Sequence, residues 1–408
     1  MPAAKQHQTR QALPGLADMP TLKGKTVLVR VDLNVPIAHG RVLDKTRITR
    51  LAPTLEYLFK KQARVVVLSH FGRPKEGYDL SLSLAPLTDA LSESLGGKEV
   101  KFAVDCIGTR VQEAVAHLKD GEVLLLENLR FHKGEEKNAP DFVEALAALG
   151  DFYVNDTFSC SHRKHASIVG LAERLPSFAG LLMAEEVAQL ESFLGAPERP
   201  IAAIVGGSKI STKLDLLETL ITKVDKLFIG GGMANTFLLA QGIAMGTSLV
   251  EKDRVETARM IMRQAEKSGC AILLPSDAAV TERFGSRNCR ITPVDKIGAD
   301  EMMLDIGPET LLRFTKELEN VKTVMWNGPL GAFEHPPFDI GSSAVARLIA
   351  SLTAQGKLKS IAGGGDVNAA IANAGMTEQF TYISTAGGAF LEWLEGKELP
   401  GITALKTE

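Results

Sequence analysis

The sequence predicts an α/β protein whose sheets are mostly parallel and carry helices on both faces. About ten short apolar runs recur along the chain, and stretches with a helical period separate them. Polar or glycine-rich segments follow most of these runs, where sheets of this type bind their ligands. At 408 residues the chain is too long for one ordinary core, so we expect two domains.

The composition is that of an ordinary globular protein, with 45% hydrophobic and 23% charged residues. The net charge of -3 argues against nucleic acid or an anionic membrane as the main partner, so any anion binding must be local. No apolar run reaches the length of a membrane span. The four cysteines are far apart and form no CxxC pair. This pattern favours reduced thiols, and we expect a cytoplasmic protein.

The first 21 residues are predicted to be a flexible leader. Residues 1–16 are basic, and they contain neither a hydrophobic signal core nor a serine. A role in targeting to an organelle is the minor alternative.

The apolar runs predict ten strands, four in the first half of the chain and six in the second. The runs are Thr26 to Val31, Arg64 to Leu68, Glu122 to Leu126, Asp151 to Val154, Ile201 to Val205, Lys226 to Ile229, Ala271 to Leu274, Thr323 to Trp326, Ser360 to Ala362 and Thr381 to Ser384. The carboxyl ends of parallel strands meet at one edge of a sheet, so the residues after each run are the candidate ligand contacts.

In the first half, the residues that follow the strands are polar and mostly cationic. They are Asp32, Asn34, Arg47, His70, Arg73, Arg130, His162, Arg163 and His165. Each arginine alone is more often a surface ion-pair partner than a ligand contact. Their repetition at strand ends favours a crevice for carboxylate or phosphate oxygens, which arginine binds through two parallel hydrogen bonds.

The smaller polar residues of this group have alternatives. Asp32 and Asn34 could be turn formers, although beside a cationic cluster a hydroxyl-binding role is plausible. His162 and His165 are three residues apart, but no carboxylate or thiol completes a recognisable metal-ligand spacing. We therefore expect His70 and His162 to bind anions or donate hydrogen bonds, and His165 to be structural.

The stretch from Ile201 to Lys213, near the middle of the chain, predicts an anion site. A buried strand ends at Gly206 and Gly207, and Ser208 is expected to cap a helix. Lys209 and Lys213 would then lie on one face beside the helix N-terminus. The alternative is a solvated helix with two surface lysines. The spacing is not that of a Walker A loop.

Four further glycine-rich turns follow strands in the second half. They are Gly230 to Gly232, Asn327 to Gly331, Gly363 to Gly365 and Ser384 to Gly388. Most precede helical patterns, so their backbone N–H groups could bind a polyphosphate. Asp366 is either an acid in the first turn of a helix or a magnesium ligand, and the setting favours the metal.

A helix is predicted between the two halves. Met183, Val187, Leu190 and Leu194 follow a helical period, and Gly195, Pro197 and Pro200 then stop it. We interpret residues 183–200 as a linker that permits hinge motion.

Several of these segments together resemble the phosphoglycerate kinase family. They are VRVDLNVP, SHFGRP, ENLRF, HRKHAS, GGSKISTKL, GGGMANTF, WNGPLGAFE, GGGD and STAGGAFLEWLEGKELPG, and the resemblance runs from about Leu22 to Leu405. It implies two Rossmann-like domains: residues 22–182 would bind 3-phosphoglycerate or 1,3-bisphosphoglycerate, and residues 201–390 would bind ATP or ADP with Mg²⁺. It also implies a tail, residues 391–408, that returns to the first domain, and a monomer.

The resemblance assigns roles residue by residue. The substrate site would comprise Asp32, Asn34, Arg47, His70, Arg73, Arg130 and Arg163. The nucleotide site would comprise Gly206, Gly207, Lys209, Lys213, Gly231, Gly232, Asn327, Glu334, Gly363, Gly364, Gly365, Asp366 and Val367, with Glu334 toward the ribose and Asp366 toward the metal. Ala386, Val367 and Met303 depart from the family pattern and put the nucleotide affinity in question.

The expected reaction is in-line phosphoryl transfer between an acyl phosphate and a nucleotide, in glycolysis and gluconeogenesis. Its transition state needs positioning and positive charge, which we assign to Arg47 on one side and to Lys209 and Lys213 on the other. Hinge closure would bring the two sides together.

Two other functions are weighed against this one. A nicotinamide-dependent dehydrogenase would need GxGxxG after the first strand, which is absent. A catalytically silent nucleotide-binding protein could lose the arginines, and these are present.

Overall fold

A computed structural model describes residues 13–38, 41–75, 77–195 and 197–406. Backbone contacts divide the chain into two compact units, Met1–Ala188 with Glu398–Glu408, and Gln189–Lys397. The chain thus passes back to the first unit at Glu398, whereas the predicted tail begins at Leu391. Most of the predicted leader lies outside the described residues. In its described part, Leu16 is buried and the Pro14 carbonyl accepts a hydrogen bond from Ala179 N (2.7 Å).

The first unit contains a six-stranded parallel sheet. The strands of the unit, including those of a separate hairpin, are β1 (Thr26–Arg30), β2 (Ile37–Ala38), β3 (Arg41–Val42), β4 (Arg64–Leu68), β5 (Val100–Ala103), β6 (Val123–Leu126), β7 (Phe152–Asn155) and β8 (Ser177–Ala179). The sheet order is β5-β6-β4-β1-β7-β8, and β2 and β3 form a separate antiparallel hairpin. Every residue of β1 is buried, as expected for a central strand covered on both faces.

The α-helices up to the unit boundary are α1 (Thr46–Lys60), α2 (Thr88–Ser94), α3 (Thr109–Ala116), α4 (Lys133–Lys137), α5 (Pro140–Ala147), α6 (Leu171–Arg174) and α7 (Leu181–Leu194). Helix α1 buries Ile48, Leu51, Leu55 and Leu58, which lie on one face at helical spacing. Helix α7 contains the boundary between the units and ends at Leu194, where the sequence predicted a helix stop at Gly195.

The second unit contains two sheets. Its strands are β9 (Ile201–Val205), β10 (Lys226–Ile229), β11 (Ala271–Leu273), β12 (Asp277–Thr281), β13 (Arg290–Pro293), β14 (Met302–Ile306), β15 (Thr323–Asn327), β16 (Lys359–Gly363) and β17 (Tyr382–Ser384). Six of them form a parallel sheet in the order β11-β10-β9-β15-β16-β17, and β13-β12-β14 form a small antiparallel sheet. The central strands β9 and β15 are buried throughout.

The remaining α-helices are α8 (Leu214–Leu220), α9 (Gly231–Ala240), α10 (Val255–Ser268), α11 (Pro308–Leu318), α12 (Ile340–Ala354), α13 (Gly365–Asn373), α14 (Gly387–Leu394) and α15 (Pro400–Thr403). Helices α9, α13 and α14 begin directly after strand ends, at glycines that the sequence placed there. None of the helices in the described part of the chain is long and apolar enough to cross a membrane.

All ten predicted strands are present, with ends that differ by at most one residue. The predicted α/β class with parallel sheets is confirmed. Sequence periodicity missed the edge strands β5 and β8 and the antiparallel sheet. Strand β8 has only three residues, and three of the four residues of β13 are exposed, so neither gives an apolar run.

The first turn of α7 is held by side chains from other elements of the first unit. Asp156, directly after β7, is buried and accepts a hydrogen bond from Met183 N at 3.1 Å through Oδ1. Thr54 of α1 accepts one from Leu181 N at 2.9 Å. These contacts satisfy N–H groups that a helix N-terminus leaves without intrahelical partners. Burial raises the pKa of Asp156 to about 6.

Replacing Asp156 by alanine should lower the free energy of unfolding by about 2 kcal/mol, because the buried Met183 N–H loses its acceptor. Urea denaturation followed by circular dichroism measures the change. The control is Asp141→Ala, which removes an exposed acid from the first turn of α5 and should change stability by less than about 0.5 kcal/mol. Equal effects of the two substitutions would contradict the capping role of Asp156.

Candidate active site

Asp32 orients Arg47 at the carboxyl edge of the first sheet. Asp32 follows β1, and Arg47 lies in the first turn of α1. Arg47 Nη1 donates to Asp32 Oδ2 and to the Asn34 carbonyl, each at 2.9 Å. Ser159 Oγ donates to the same carboxylate oxygen at 2.6 Å. These hydrogen bonds fix the position of the Arg47 guanidinium, and its side chain is one-third exposed.

A chain of hydrogen bonds connects Asn34 with Arg130 through the backbone of Gly72. Gly72 N donates to Asn34 Oδ1 at 3.0 Å, and Arg130 Nη1 donates to the Gly72 carbonyl at 2.6 Å. Gly72 has φ +60°, and a Cβ there would lie 2.6 Å from Leu82. Glycine therefore lets the loop after β4 pass between its neighbours.

Arg130 and Arg163 are close enough to repel each other. Burial, and then the charge of Arg163, lower the pKa of Arg130. Arg130 also forms an ion pair with Glu136, with Nε 3.2 Å from the carboxylate. Arg163 Nε donates to His162 Nε2 at 3.2 Å. Arg73 is exposed on the loop after β4. Glu136 offsets only part of this positive charge, so an anion bound beside Arg130 and Arg163 would relieve their repulsion.

His70 is held as a neutral ring by a buried arginine that the sequence analysis missed. Arg30 Nη2 lies 3.0 Å from His70 Nδ1. Because a guanidinium has donors only, Nδ1 must accept, and the ring proton is on Nε2. Burial, followed by the charges of Arg30 and Arg130, lowers the pKa of His70 well below its usual value. His70 can therefore donate a hydrogen bond from Nε2 without carrying charge.

Arg30 in turn belongs to a buried network. Its side chain is 1% exposed, its Nε donates to Ser167 Oγ at 2.8 Å, and a second nitrogen contacts the Val31 carbonyl. Ser167 N and Oγ donate to the two oxygens of the fully buried Glu135, at 3.0 and 2.6 Å. Tyr153 Oη donates to the Ser167 carbonyl at 2.6 Å. The sequence signal that could have indicated this network was the presence of an arginine, Arg30, inside the apolar run of β1.

The two histidines of the segment after β7 also stay neutral. Burial, and then the charges of Arg130 and Arg30, lower the pKa of His165 to about 3. Its Nδ1 lies 3.7 Å from the Glu135 carboxylate. Burial and Arg163 lower the pKa of His162 as well. Both rings can therefore contribute hydrogen bonds near the arginines but no additional charge.

In the second unit, the turn after β9 requires glycine for close backbone packing. Gly206 N donates to the Asn327 carbonyl at 2.9 Å, and a Cβ on Gly206 would collide with the Pro329 carbonyl. Gly207 has φ +122°, and a Cβ on Gly231 would lie 2.7 Å from the Gly207 carbonyl. The ends of β9, β10 and β15 therefore pack against one another through backbone atoms, with no side chain between them.

The predicted helix start at Ser208 is wrong. A single 3₁₀ turn, Ile210–Thr212, comes first, and α8 begins only at Leu214 with Lys213 as its N-cap. Ile210 is fully buried, so its side chain holds the segment between β9 and α8 against the core and interrupts the predicted helix. Ser208 and Lys209 are exposed before the 3₁₀ turn, so Lys209 and Lys213 do not share a helix face.

Lys213 instead turns inward to the strand ends. Its Nζ donates to the Gly206 carbonyl at 2.6 Å and to the Asn327 carbonyl at 3.2 Å. Burial lowers the pKa of Lys213 to about 8, and Asp366 partly opposes the shift. The ammonium is thus bound by neutral carbonyls and lacks full compensation of its charge.

The remaining glycine segments surround Asn327. Asn327 Nδ2 donates to the Gly363 carbonyl at 2.5 Å, while its Oδ1 is buried with no hydrogen-bond partner. Gly364 has φ +122° and precedes α13, whose first turn holds the exposed Asp366 and the buried Val367. An unpaired buried acceptor is rare and marks a place where a ligand or water completes the structure.

The other predicted residues lie around this edge. Gly232 packs on Ser208, since a Cβ on Gly232 would be 2.8 Å from the Ser208 carbonyl. Glu334 is exposed on the segment after β15. Met303 is buried in β14, and Ala386 N donates to Ser384 Oγ at 3.2 Å rather than pointing freely outward.

Asp305 is a further residue that sequence reasoning missed. It is buried in β14 and accepts hydrogen bonds from Gly341 N at 2.7 Å and Ile306 N at 2.9 Å. Burial raises its pKa to about 8. Asp305 packs against Gly331 and Gly341, so it anchors both ends of the segment that carries Glu334.

Comparison with known proteins identifies the family. Residues 16–397 match the family model of phosphoglycerate kinase. The chain belongs to the phosphoglycerate kinase family. It is 57% identical to the phosphoglycerate kinase of Rhodospirillum centenum over 386 residues, which cover 94% of this chain and 97% of that protein. It is 56% identical to the enzyme of Azorhizobium caulinodans over 390 residues, or 95% and 98% of the two chains.

Solved structures of this family have the same fold. Phosphoglycerate kinase from Coxiella burnetii matches with a TM-score of 0.86 at 38% identity, covering 96% of this chain and 98% of that one. The enzyme from Pyrococcus horikoshii OT3 matches with a TM-score of 0.83 at 31% identity, covering 97% and 98%. The predicted family and the two Rossmann-like folds are therefore confirmed.

The chain is thus an ATP-dependent phosphotransferase of glycolysis. It transfers a phosphoryl group reversibly between 1,3-bisphosphoglycerate and ADP, giving 3-phosphoglycerate and ATP.

Replacing Glu135 by glutamine should lower the free energy of unfolding by about 3 kcal/mol, because the buried charge of Arg30 loses its compensating charge. Denaturant unfolding monitored in the first unit by hydrogen exchange of β1 measures this change.

The matched control is the neighbouring Glu136→Gln. Glu136 is 59% exposed in its ion pair with Arg130, so its removal should cost less than about 1 kcal/mol. A Glu135→Gln variant as stable as this control would contradict the role of the buried network.

Proposed function

We propose that Arg47, Lys209 and Lys213 stabilise the phosphoryl group during transfer. The observation that carries this assignment is the position of Lys213, a half-buried ammonium held by two carbonyls at the meeting point of three strand ends. The transition state spreads negative charge over the equatorial oxygens of the phosphoryl group, and preorganised cations stabilise that charge. Arg47, held by Asp32, supplies a second fixed cation.

The first unit binds the phosphoglycerate in this proposal. His70, Arg73, Arg130 and Arg163 receive its phosphate and carboxylate oxygens, to which guanidinium groups can donate in pairs. The repulsion between Arg130 and Arg163 supports this assignment, since an anion between them restores the charge balance. Asp32 and Asn34 hold Arg47 and the Gly72 loop, and their remaining lone pairs can accept the substrate hydroxyl.

The second unit binds ATP or ADP. The glycines after β9, β10 and β16 leave the backbone open to the phosphates, and the N-termini of α13 and α14 direct their N–H groups toward negative charge. The residues assigned here are Gly206, Gly207, Gly231, Gly232, Asn327, Glu334, Gly363, Gly364, Gly365 and Val367. In this proposal, Glu334 accepts hydrogen bonds from the ribose hydroxyls.

Asp366 fits Mg²⁺, which would arrive with the nucleotide. It is an exposed carboxylate in the first turn of α13, and Mg²⁺ is commonly held by one or two carboxylates together with substrate phosphates. Bound Mg²⁺ would neutralise part of the phosphate charge. Asp366 also acts electrostatically on Lys213. In this proposal the nucleotide phosphates therefore lie near one acidic and one basic side chain.

The transfer itself is in line and needs no covalent intermediate on the protein. Arg47 belongs to one unit, while Lys209 and Lys213 belong to the other, so we infer that the two units close on the substrates before transfer. Closure would also exclude water, which would otherwise accept the phosphoryl group. In this proposal the protein acts as a monomer in the cytoplasm, and one chain supplies all the residues of the site.

Arg47→Ala should reduce the turnover number by about 10³-fold, because the transition state loses a fixed cation. ATP formation from 1,3-bisphosphoglycerate and ADP in a coupled assay measures it, and a parallel test for NAD reduction examines the dehydrogenase alternative. Arg174→Ala removes an exposed ion pair with Glu144 and serves as the control with unchanged turnover. Near-normal turnover in Arg47→Ala would remove this residue from the mechanism.

The value of kcat/KM for ATP should fall as the pH rises above about 8. Burial lowers the pKa of Lys213 to about 8, so the ammonium form is lost through this range. Initial rates between pH 6 and pH 10 measure the profile. In Lys213→Arg, whose guanidinium stays charged, the residual activity should show no decline near pH 8. The same alkaline limb in both proteins would assign it to another group.

A further inference from the structure

A cluster of three potential metal ligands lies beyond the ends of β5 and β6, and it contains none of the residues assigned to either substrate. It consists of Asp105, Cys106 and His132, whose ligand atoms all lie within 4.8 Å of one another. Across the described residues, no other group of three or more His, Cys, Asp or Glu side chains meets this spacing. The sequence separation of Cys106 and His132 hides the cluster from motif searches.

The fold brings the three side chains together by backbone and packing contacts. Glu127 N donates to the Asp105 carbonyl at 3.4 Å, which ties the loop after β5 to the end of β6. His132 follows the 3₁₀ turn Leu129–Phe131, and its ring stacks on Phe142 with centroids 5.3 Å apart. This stacking holds the imidazole while its Nε2 lies 2.7 Å from Asp105 Oδ1.

Exposure and charge both suit a cation. Cys106 is 1% exposed, whereas the side chains of Asp105 and His132 are 50% and 31% exposed, so the cluster is buried on the sulfur side and open to solvent on the other. Asp105 supplies a carboxylate on the exposed side of the cluster. A divalent cation would neutralise this charge.

We propose that Asp105, Cys106 and His132 form a three-ligand site for a borderline-soft divalent cation of the Zn²⁺ class. One oxygen, one nitrogen and one sulfur ligand suit Zn²⁺, whereas Mg²⁺ and Ca²⁺ take oxygen ligands. Water occupies the fourth position. On binding, the Cys106 thiol releases its proton to solvent, and His132 coordinates through Nε2 with its ring proton on Nδ1.

The required adjustment is small. Tetrahedral zinc, with bonds of about 2.0–2.3 Å, separates its ligand atoms by roughly 3.3–3.8 Å. The Asp105–His132 contact at 2.7 Å must therefore open by roughly 0.6–0.8 Å, and the wider separations must close by up to about an ångström. Asp105 and His132 are the partly exposed members, so side-chain rotation can supply this change.

Titration of the metal-free full-length chain with Co²⁺ tests the proposal. Cys289 is an exposed thiol that could bind metal nonspecifically, so the titration uses a Cys289→Ser background. We expect one Co²⁺ per chain, a thiolate-to-cobalt charge-transfer band and the intense visible bands of tetrahedral cobalt. Zn²⁺ should displace the ion, and Mg²⁺ at equal concentration should not.

Variants in the same background identify the ligands. Cys106→Ser should abolish the charge-transfer band, and the surface substitution His132→Asn should weaken binding about tenfold or more. Cys270→Ser removes a different buried thiol and should leave both unchanged.

Three results would overturn the proposal. They are a charge-transfer band that persists in Cys106→Ser, unchanged affinity in folded His132→Asn, and only the weak bands of six-coordinate cobalt in the parent chain. Any of them would leave the Asp105–His132 contact as a structural hydrogen bond between two loops.

Discussion

The candidate substrate site of the first unit depends on one buried charge, the guanidinium of Arg30. A cation taken out of water is very costly unless its charge is compensated and its donors are satisfied. Ser167 and Glu135 supply this compensation, and Ser167 lies in the same segment as the histidine–arginine residues after β7. The network therefore connects the central strand β1 to that segment. It also fixes the tautomer of His70, so this core interaction determines which ring nitrogen can donate a hydrogen bond.

The edge of the second unit follows a different constraint, the close approach of backbones. A Cβ on Gly206 or Gly231 would collide with backbone atoms of neighbouring turns, and Gly207 has φ +122°, a conformation that favours glycine. Such packing places several carbonyls around Lys213 and leaves the buried Asn327 Oδ1 without a partner. The same glycines that could admit phosphates are thus required by the fold. Their number at strand ends is explained by packing and binding together rather than by binding alone.

The sequence predicted the parts of the fold that repeat a simple pattern. Buried parallel strands such as β9 and β15 are continuous apolar runs, so their positions were found to within one residue. Strand β13 is mostly exposed, and the hairpin of β2 and β3 is very short, so neither has an apolar period.

The candidate site was predicted less completely, for physical reasons that single residues show. Ser208 looked like a helix cap, but the burial of Ile210 replaced the first turn by a 3₁₀ turn. Arg30 lay unnoticed inside a predicted strand, and Asp305 acts on glycines far away in the sequence. Local patterns report which residues follow a strand. They do not report which distant groups pair with them in the core.

In the proposed reaction, the electrostatics of Lys213 would link binding and catalysis. Neutral carbonyls hold its ammonium in place but do not compensate its charge, which is why burial lowers its pKa. Negative charge that approaches the ammonium restores the stability of the charged form, and the gain increases with that charge. Interactions that strengthen between the ground state and the transition state are those that accelerate a reaction. A partly desolvated lysine without a carboxylate partner at hydrogen-bond distance can therefore stabilise the charge of a transferring phosphoryl group more strongly than a lysine that is already paired in the resting protein.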